Sequence, residues 1–373
     1  MSGTACSARL ASTGADLVDC DVVNGSATAV AGRRRWLSSL AGSLLFSTRF
    51  VTIWLATILL LIVCEIIAPQ TLSTDSLSTL LPLATITAIA ALGQMLVVMT
   101  GGIDLSVAGT ISLCANVVVG VSHGQNDRLL TTVLVVLAVA TVIGLVNGIL
   151  ISIVGLNPLI VTLAVGLILG GVTQYYRLGT ANESEVPPSL SNWVFEKPLL
   201  GVSWVFWAGI VFTILLALLL RSTPAGRRFQ AVGANPRAAW IAGIHVRRNV
   251  VAAYVGSAVC AGIAAILLAG VINNPGTDPG QPYLFGPIAA VVLAGTSLTG
   301  GLSSVTSTWV AAFALTLLNQ MLRVLGLNTA FQFIVFGGAI VIGMVVSGDR
   351  IAGLLGRLMQ RPRVRMLLGE EAR

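Results

Sequence analysis

The sequence predicts an all-α polytopic membrane protein with about ten transmembrane helices and both termini in the cytoplasm. Two observations carry the class: only 9% of the residues are charged, against roughly 25% in a soluble domain, and the mean hydropathy is +0.93. A third carries the orientation. Apart from Arg128, Arg177, Lys197 and Arg323, every one of the 21 basic residues lies in residues 1–49, in the loop 221–249 or in residues 350–373. Arginine in such stretches is retained on the cytoplasmic side, so all three belong to one face. Because the basic residues are sorted by side rather than gathered on one patch, the net charge of +7 is not a nucleic-acid footprint.

Residues 1 to 32 are rich in Ser, Thr, Ala, Gly and Asp and lack the apolar core of a signal peptide, so a disordered tail is expected, anchored by Arg33, Arg34, Arg35 and Arg49. Apolar runs near the roughly 20 residues that cross a bilayer follow at 50–68, 79–100, 103–121, 129–153 and 159–176. The second is expected to break at Gly93-Gln94, and it leads into Gly101-Gly102-Ile103-Asp104-Leu105-Ser106. The loop 177–203 carries Glu183, Glu185 and Glu196 and is expected outside, edged by an interfacial belt of Tyr175, Tyr176, Trp193, Trp204 and Trp207. Further runs lie at 204–220, 250–271, 303–322 and 330–347. The run 287–297 is short for a crossing and reads as a half helix shielded by protein, which gives ten crossings, or nine and a re-entrant segment.

The loop 221–249 holds six arginines and no acid. Inside it Asn235 is placed to cap a helix whose first residue, Pro236, gives up an N–H that would be unpaired anyway, and Gly243 can close it in left-handed backbone. Trp240 and Ile241 on so short a helix need cover, from the lipid interface or from the groove of a soluble partner. The motor is missing from this chain. Lys197 is the only lysine and precedes Pro198, so no phosphate-binding G-x-x-x-x-G-K-[ST] loop exists. His123 and His245 read as solvated loop residues, and the five cysteines form no disulfide or metal pattern. Asp104 is the most central acid in the apolar stretch 79–121; it either caps the third span or lines a solute path. Thr100-Gly101-Gly102 is echoed by Thr299-Gly300-Gly301, as happens in transporters built from repeats.

Three stretches, TGGIDLSVAG (100–109), GRRFQAVGANPRAAWIAGIHV (226–246) and IAAVVLAGTSLTGG (288–301), resemble the signature regions of permease subunits of bacterial ABC importers for ribose, xylose, arabinose and galactose, over residues 50–349. The resemblance implies a type II importer fold in the inner membrane, flanked by the cytoplasmic tails 1–49 and 350–373. It implies that Asn235, Pro236, Ala238, Ala239, Trp240, Ile241 and Gly243 form a coupling helix. That helix would seat on a tandem-domain ATPase subunit, which binds the ATP and Mg²⁺, so this chain needs no cofactor, metal or catalytic residue of its own. A periplasmic sugar-binding protein and a second permease copy or paralogue complete the implied assembly. Gln94, Gly101, Gly102, Asp104, Ser106, Asn147, Thr299, Gly300, Gly301 and Asn319 are the candidates for pathway or structural motif. The chain departs from the family pattern at Leu284-Phe285-Gly286-Pro287, where an acid is usual, at Asn319-Gln320 and at Leu302-Ser303-Ser304. Those departures bear on the solute, for which a nucleoside, autoinducer-2 or a branched-chain amino acid are the alternatives, and they suit one half of a heterodimer. From another class, an ion-driven carrier would rest on Asp104 and Glu65, and a channel lacks a ring-forming charged motif.

Overall fold

The computed structural model describes residues 48–179, 185–199 and 201–328, with scattered positions between 330 and 341. The expected N-terminal tail, Glu183, most of the tenth span and the basic C-terminal tail lie outside the described residues. The chain divides into two compact units, Met1–Thr48 and Arg49–Arg373, and nearly everything below belongs to the second.

Helix α1 (Thr48–Ile67) stops before Pro69, as the residue ahead of a proline is pushed out of helical backbone. Ser73 then caps α2 (Thr74–Met99), its Oγ accepting the Ser76 N–H at 3.3 Å. Helix α2 runs unbroken through Gly93-Gln94, against the expected interruption. The reason lies across the interface: an added Cβ at Gly93 would stand 2.7 Å from the Cys260 Cβ and 3.0 Å from the Ser257 carbonyl oxygen. This glycine lets two helices approach rather than bending one.

Helices α3 (Val107–Ser122), α4 (Leu129–Ser152), α5 (Pro158–Gly179) and α7 (Trp204–Ser222) follow the expected runs, but α3 starts four residues late. The loop between α5 and α7 contains an unexpected helix, α6 (Pro188–Phe195), which buries Leu190 and Val194. The central loop also holds two helices instead of one: α8 (Pro224–Ala234) precedes the expected α9 (Pro236–Ile241). Beyond them come α10 (Val246–Ile272), α11 (Gly286–Leu293) and α12 (Val305–Val324). Among the described residues, six helical stretches are long and apolar enough to cross a membrane; α1, α3 and the segment 281–293 are shorter apolar helices.

Helix α10 is the spine, packed on α2, α3 and α4. Gly144 and Gly148, one turn apart on α4, bring the α10 backbone so near that an added Cβ would lie 2.6 Å from the Val255 Cα and 2.8 Å from the Val251 Cα. Such small-residue contacts bind helices in lipid, where burial of apolar surface gives no drive. Helices α4, α5 and α7 turn Leu134, Val142, Ile160, Leu167, Val211 and Leu215 outward, an apolar rim suited to lipid.

The bundle has two distinguishable ends. At one, Ser152 Oγ donates to the Arg247 carbonyl at 2.9 Å, next to the loop with α8 and α9. At the other, Arg177 Nη2 donates to Asn274 Oδ1 at 2.8 Å and the Ser189 N–H to Asn126 Oδ1 at 2.9 Å. Between α10 and α12 the chain travels from the second end to the first, yet apart from the 3₁₀ turn Gln281–Tyr283 only the eight residues of α11 are helical, about 12 Å of rise. The irregular part is clamped to α3: Asn116 Nδ2 donates to the Gly276 carbonyl at 3.0 Å, and the Gly280 N–H donates to Ser112 Oγ at 3.0 Å. Helix α11 is thus the short half helix that the run 287–297 suggested; in the segment before it Pro275, Gly280 and Tyr283 are buried, while Asn274, Gly276 to Asp278, Gln281 and Pro282 are exposed.

Candidate functional site

The site is built around the break between α2 and α3. Helix α2 ends in a paired C-cap, with the Gly101 N–H donating to the Val98 carbonyl at 2.9 Å and the Gly102 N–H to the Val97 carbonyl at 3.1 Å. This cap requires left-handed backbone at Gly101, whose φ is +84°. Gly102 then passes beneath Tyr254, leaving no room for a Cβ. From Gly102 to Ser106 the backbone forms neither helix nor strand, so its polar groups cannot pair along a helix.

Side chains from three helices, with the Asp104 carboxylate itself, take them instead. Gln94 of α2, with its amide oriented to satisfy both partners, donates to the Asp104 carbonyl at 3.0 Å and accepts the Asp104 N–H at 3.2 Å. The Leu105 N–H donates to Thr162 Oγ1 of α5 at 3.0 Å, and the Tyr254 hydroxyl of α10 lies 3.5 Å from the Ile103 carbonyl that receives it. The Asp104 carboxylate accepts three donors: the Ser106 N–H at 2.9 Å, the Ser106 hydroxyl at 2.6 Å and the Ser257 hydroxyl of α10 at 3.0 Å. Asn147 Nδ2 of α4 donates to Ser106 Oγ at 2.8 Å and so completes a chain from Asn147 through Ser106 to Asp104. Asp104 is 2% exposed. The expected capping of α3 is therefore modified: the carboxylate takes the N–H of Ser106, the residue before the helix, and ties that residue to α10. It is enclosed on all sides, so in this arrangement no solute hydroxyl reaches it.

Of the sequence candidates, Gln94, Gly101, Gly102, Asp104, Ser106 and Asn147 meet at this break. Gly300 and Gly301 join it from the other half of the chain, the Gly301 N–H donating to the Met99 carbonyl at 3.0 Å. Thr299 is exposed beside them, its Oγ1 2.8 Å from Ser297 Oγ. Asn319 stands half-buried on α12, outside this network. Thr162, Tyr254 and Ser257 were not anticipated; their only signal was a hydroxyl within an apolar run.

The second candidate element, α9, has the expected caps. Asn235 Oδ1 accepts the Ala238 N–H at 3.1 Å, and Gly243, at φ +79°, lets the Ile244 N–H reach the Ala239 carbonyl at 2.9 Å. Its faces are sharply divided: Ala239 is 4% exposed, while Trp240 and Ile241 are 73% and 80% exposed. Ala239, within the same helix, packs against its own chain. Pro236 and Ala238 are exposed like Trp240 and Ile241.

The described residues form a helical bundle of membrane-spanning type with a polar-clamped break and a short helix presented at one end. Residues 76–344 match the family described as branched-chain amino acid transport system / permease component, and the chain belongs to that family. It is 30% identical over 299 residues to the ribose import permease protein RbsC of Escherichia coli K12, covering 79% of this chain and 92% of the relative. It is 31% identical over 294 residues to the probable ABC transporter permease protein y4mJ of Sinorhizobium fredii, with 78% and 87% covered. The galactose/methyl galactoside import permease protein MglC of Salmonella typhimurium is 28% identical over 300 residues, with 76% and 89% covered. No solved structure gives a significant match. The chain is therefore a multi-pass inner-membrane permease.

The network makes opposite demands on two substitutions. In Asp104→Asn the amide oxygen keeps the two Ser106 donors and its NH₂ can donate to Ser257, so the detergent-solubilised protein should melt close to wild type. Asp104→Ala strands those donors in the interior at about 1–3 kcal/mol for each buried unpaired group, and its melting temperature should fall clearly below that of the Asn variant. Equal melting of all three would remove the carboxylate from the account.

Proposed function

We propose that this chain is the membrane-spanning subunit of an ATP-driven ABC importer that moves a monosaccharide or a similar neutral polyol into the cell. The observation that carries the reading is α9: a capped helix showing Trp240 and Ile241 to solvent at the arginine-rich end of the bundle. Aromatic and aliphatic anchors on a short helix are the features of a groove-docking element, and the chain has no phosphate-binding loop of its own. A tandem-domain ATPase subunit holding ATP and Mg²⁺ is the partner we assign to it. In this reading the permease carries no cofactor and catalyses no reaction itself. A periplasmic binding protein would meet the opposite face, and a second permease copy or paralogue the apolar rim.

A sugar solute is supported by the likeness to permeases named for ribose and galactose. The family description names branched-chain amino acids, which keeps that solute class as the second reading. An ion-driven carrier is less favoured because Asp104 is enclosed and Glu65 sits on the exposed side of α1. Ten crossings with both termini cytoplasmic follow if the passage from residue 273 to 301 counts as one crossing, half irregular and half helical. The same basic residues that sort by side then place 221–249 inside.

Two experiments test this. Cysteines introduced at Ser189 and Ser222, both exposed, should react with an impermeant thiol reagent from opposite faces of intact cells; labelling of both from outside contradicts the topology. For docking, Trp240→Ala together with Ile241→Asp should leave membrane levels unchanged while co-purification of the ATPase subunit and ATP-dependent uptake are lost. Unchanged recovery of the ATPase would assign α9 to the lipid surface.

A further inference from the structure

Gly233 lies near the end of α8, two residues before the Asn235 cap of α9, and it is buried. An added Cβ there would fall on the Met99 carbonyl and within 2.5 Å of the Gly301 nitrogen. From the other side, an added Cβ at Gly300 would stand 2.8 Å from the Gly233 carbonyl oxygen, and one at Gly301 would stand 3.6 Å from the Ala234 Cβ. Three segments far apart in sequence, 99–101, 233–234 and 299–301, therefore meet backbone to backbone, and the Gly301 N–H bonds the Met99 carbonyl across the junction. No flexible side chain separates them.

We infer that Gly233 is a positioning residue that transmits displacement of α9 to the Asp104 segment and to the start of α12. The inference rests on the proposed docking of α9 to an ATPase. Packed backbone cannot absorb a push by changing rotamers, so a shift of α9 passes through Ala234 and Gly233 to Met99 and Gly301. Met99 is the last residue of α2, and the cap that follows it delivers the chain to Gly102 and Asp104. Gly301 leads within four residues into α12. The junction joins the element that shows itself to solvent with the break that the clamping side chains hold. Ordinary packing would also need a glycine here, so the test must read coupling rather than stability.

The full chain, with the co-purifying ATPase subunit and a ribose-binding protein, is reconstituted in liposomes, and ATP hydrolysis and ribose uptake are measured together. In Gly233→Ala the added Cβ forces the Met99 and Gly301 backbones away from α8, while Trp240 and Ile241 stay exposed, so the ATPase should still bind and hydrolyse ATP. Ribose taken up per ATP should fall about tenfold, within the range that residues along a coupling route span. Because that variant could fail to assemble, a second protein carries Ala234→Cys, an exposed position, with Cys6 and Cys20 replaced by Ser; Cys64, Cys114 and Cys260 are buried. A bulky methanethiosulfonate attached after assembly should lower uptake per ATP, and reduction should restore it. Uptake per ATP unchanged by both the Ala variant and the attached wedge overturns the transmission role while leaving the importer reading intact. A wild-type chain that neither binds the ATPase nor takes up ribose overturns both.

Discussion

Every backbone N–H and C=O inside a lipid-embedded bundle must find a partner in the protein, and the rest of this structure is arranged around the two places where helices fail to supply one. A helix satisfies its own backbone, so continuous spans need little from their neighbours. Between Gly102 and Ser106 the chain is not helical, and between residues 273 and 285 only the 3₁₀ turn Gln281–Tyr283 is. Each stretch is then paid for with side chains: Gln94, Thr162, Tyr254 and the Asp104 carboxylate at the first, Asn116 and Ser112 at the second. These polar residues are spread over α2, α3, α5 and α10, so the helices must stand in one register for the breaks to be satisfied.

That requirement explains the packing. Helix α10 lies at the centre because Ser257 and Tyr254 must reach the first break while Gly144 and Gly148 admit α4, which brings Asn147 to Ser106. Interhelical hydrogen bonds and small-residue contacts are the forces available in lipid, and here both converge on one helix. An enclosed acid held by three donors defines one arrangement of the chain; lengthening any of those bonds exposes an unpaired group.

What the sequence revealed was local or summed over the whole chain. The arginines of 221–249 and the long apolar runs report on side and span without reference to any partner. The ends of α9 were legible because a cap is decided by neighbours: Asn235 and Pro236 act on the first turn and Gly243 on the last. Contacts between remote positions were not legible. Gly93 looks like a helix breaker until Ser257 and Cys260 are placed against it, and the buried Ala239 cannot be told from the exposed Trp240 until the phase of a six-residue helix is known. Thr162 and Ser257 are single hydroxyls in apolar runs, which in most helices bond only the preceding turn. The amphipathic helix α8 was hidden by its arginines, which made the whole stretch read as loop.

The account stands on the claim that side chains hold the break closed, and amide hydrogen exchange measures it directly. In lipid nanodiscs the N–H groups of Asp104, Leu105 and Ser106, though outside any helix, should exchange as slowly as those in the middle of α2, and Gln94→Ala should release the Asp104 amide. If these three amides in the unaltered protein exchange as fast as those of the exposed turn at Gly155, the break is not clamped and the account is contradicted.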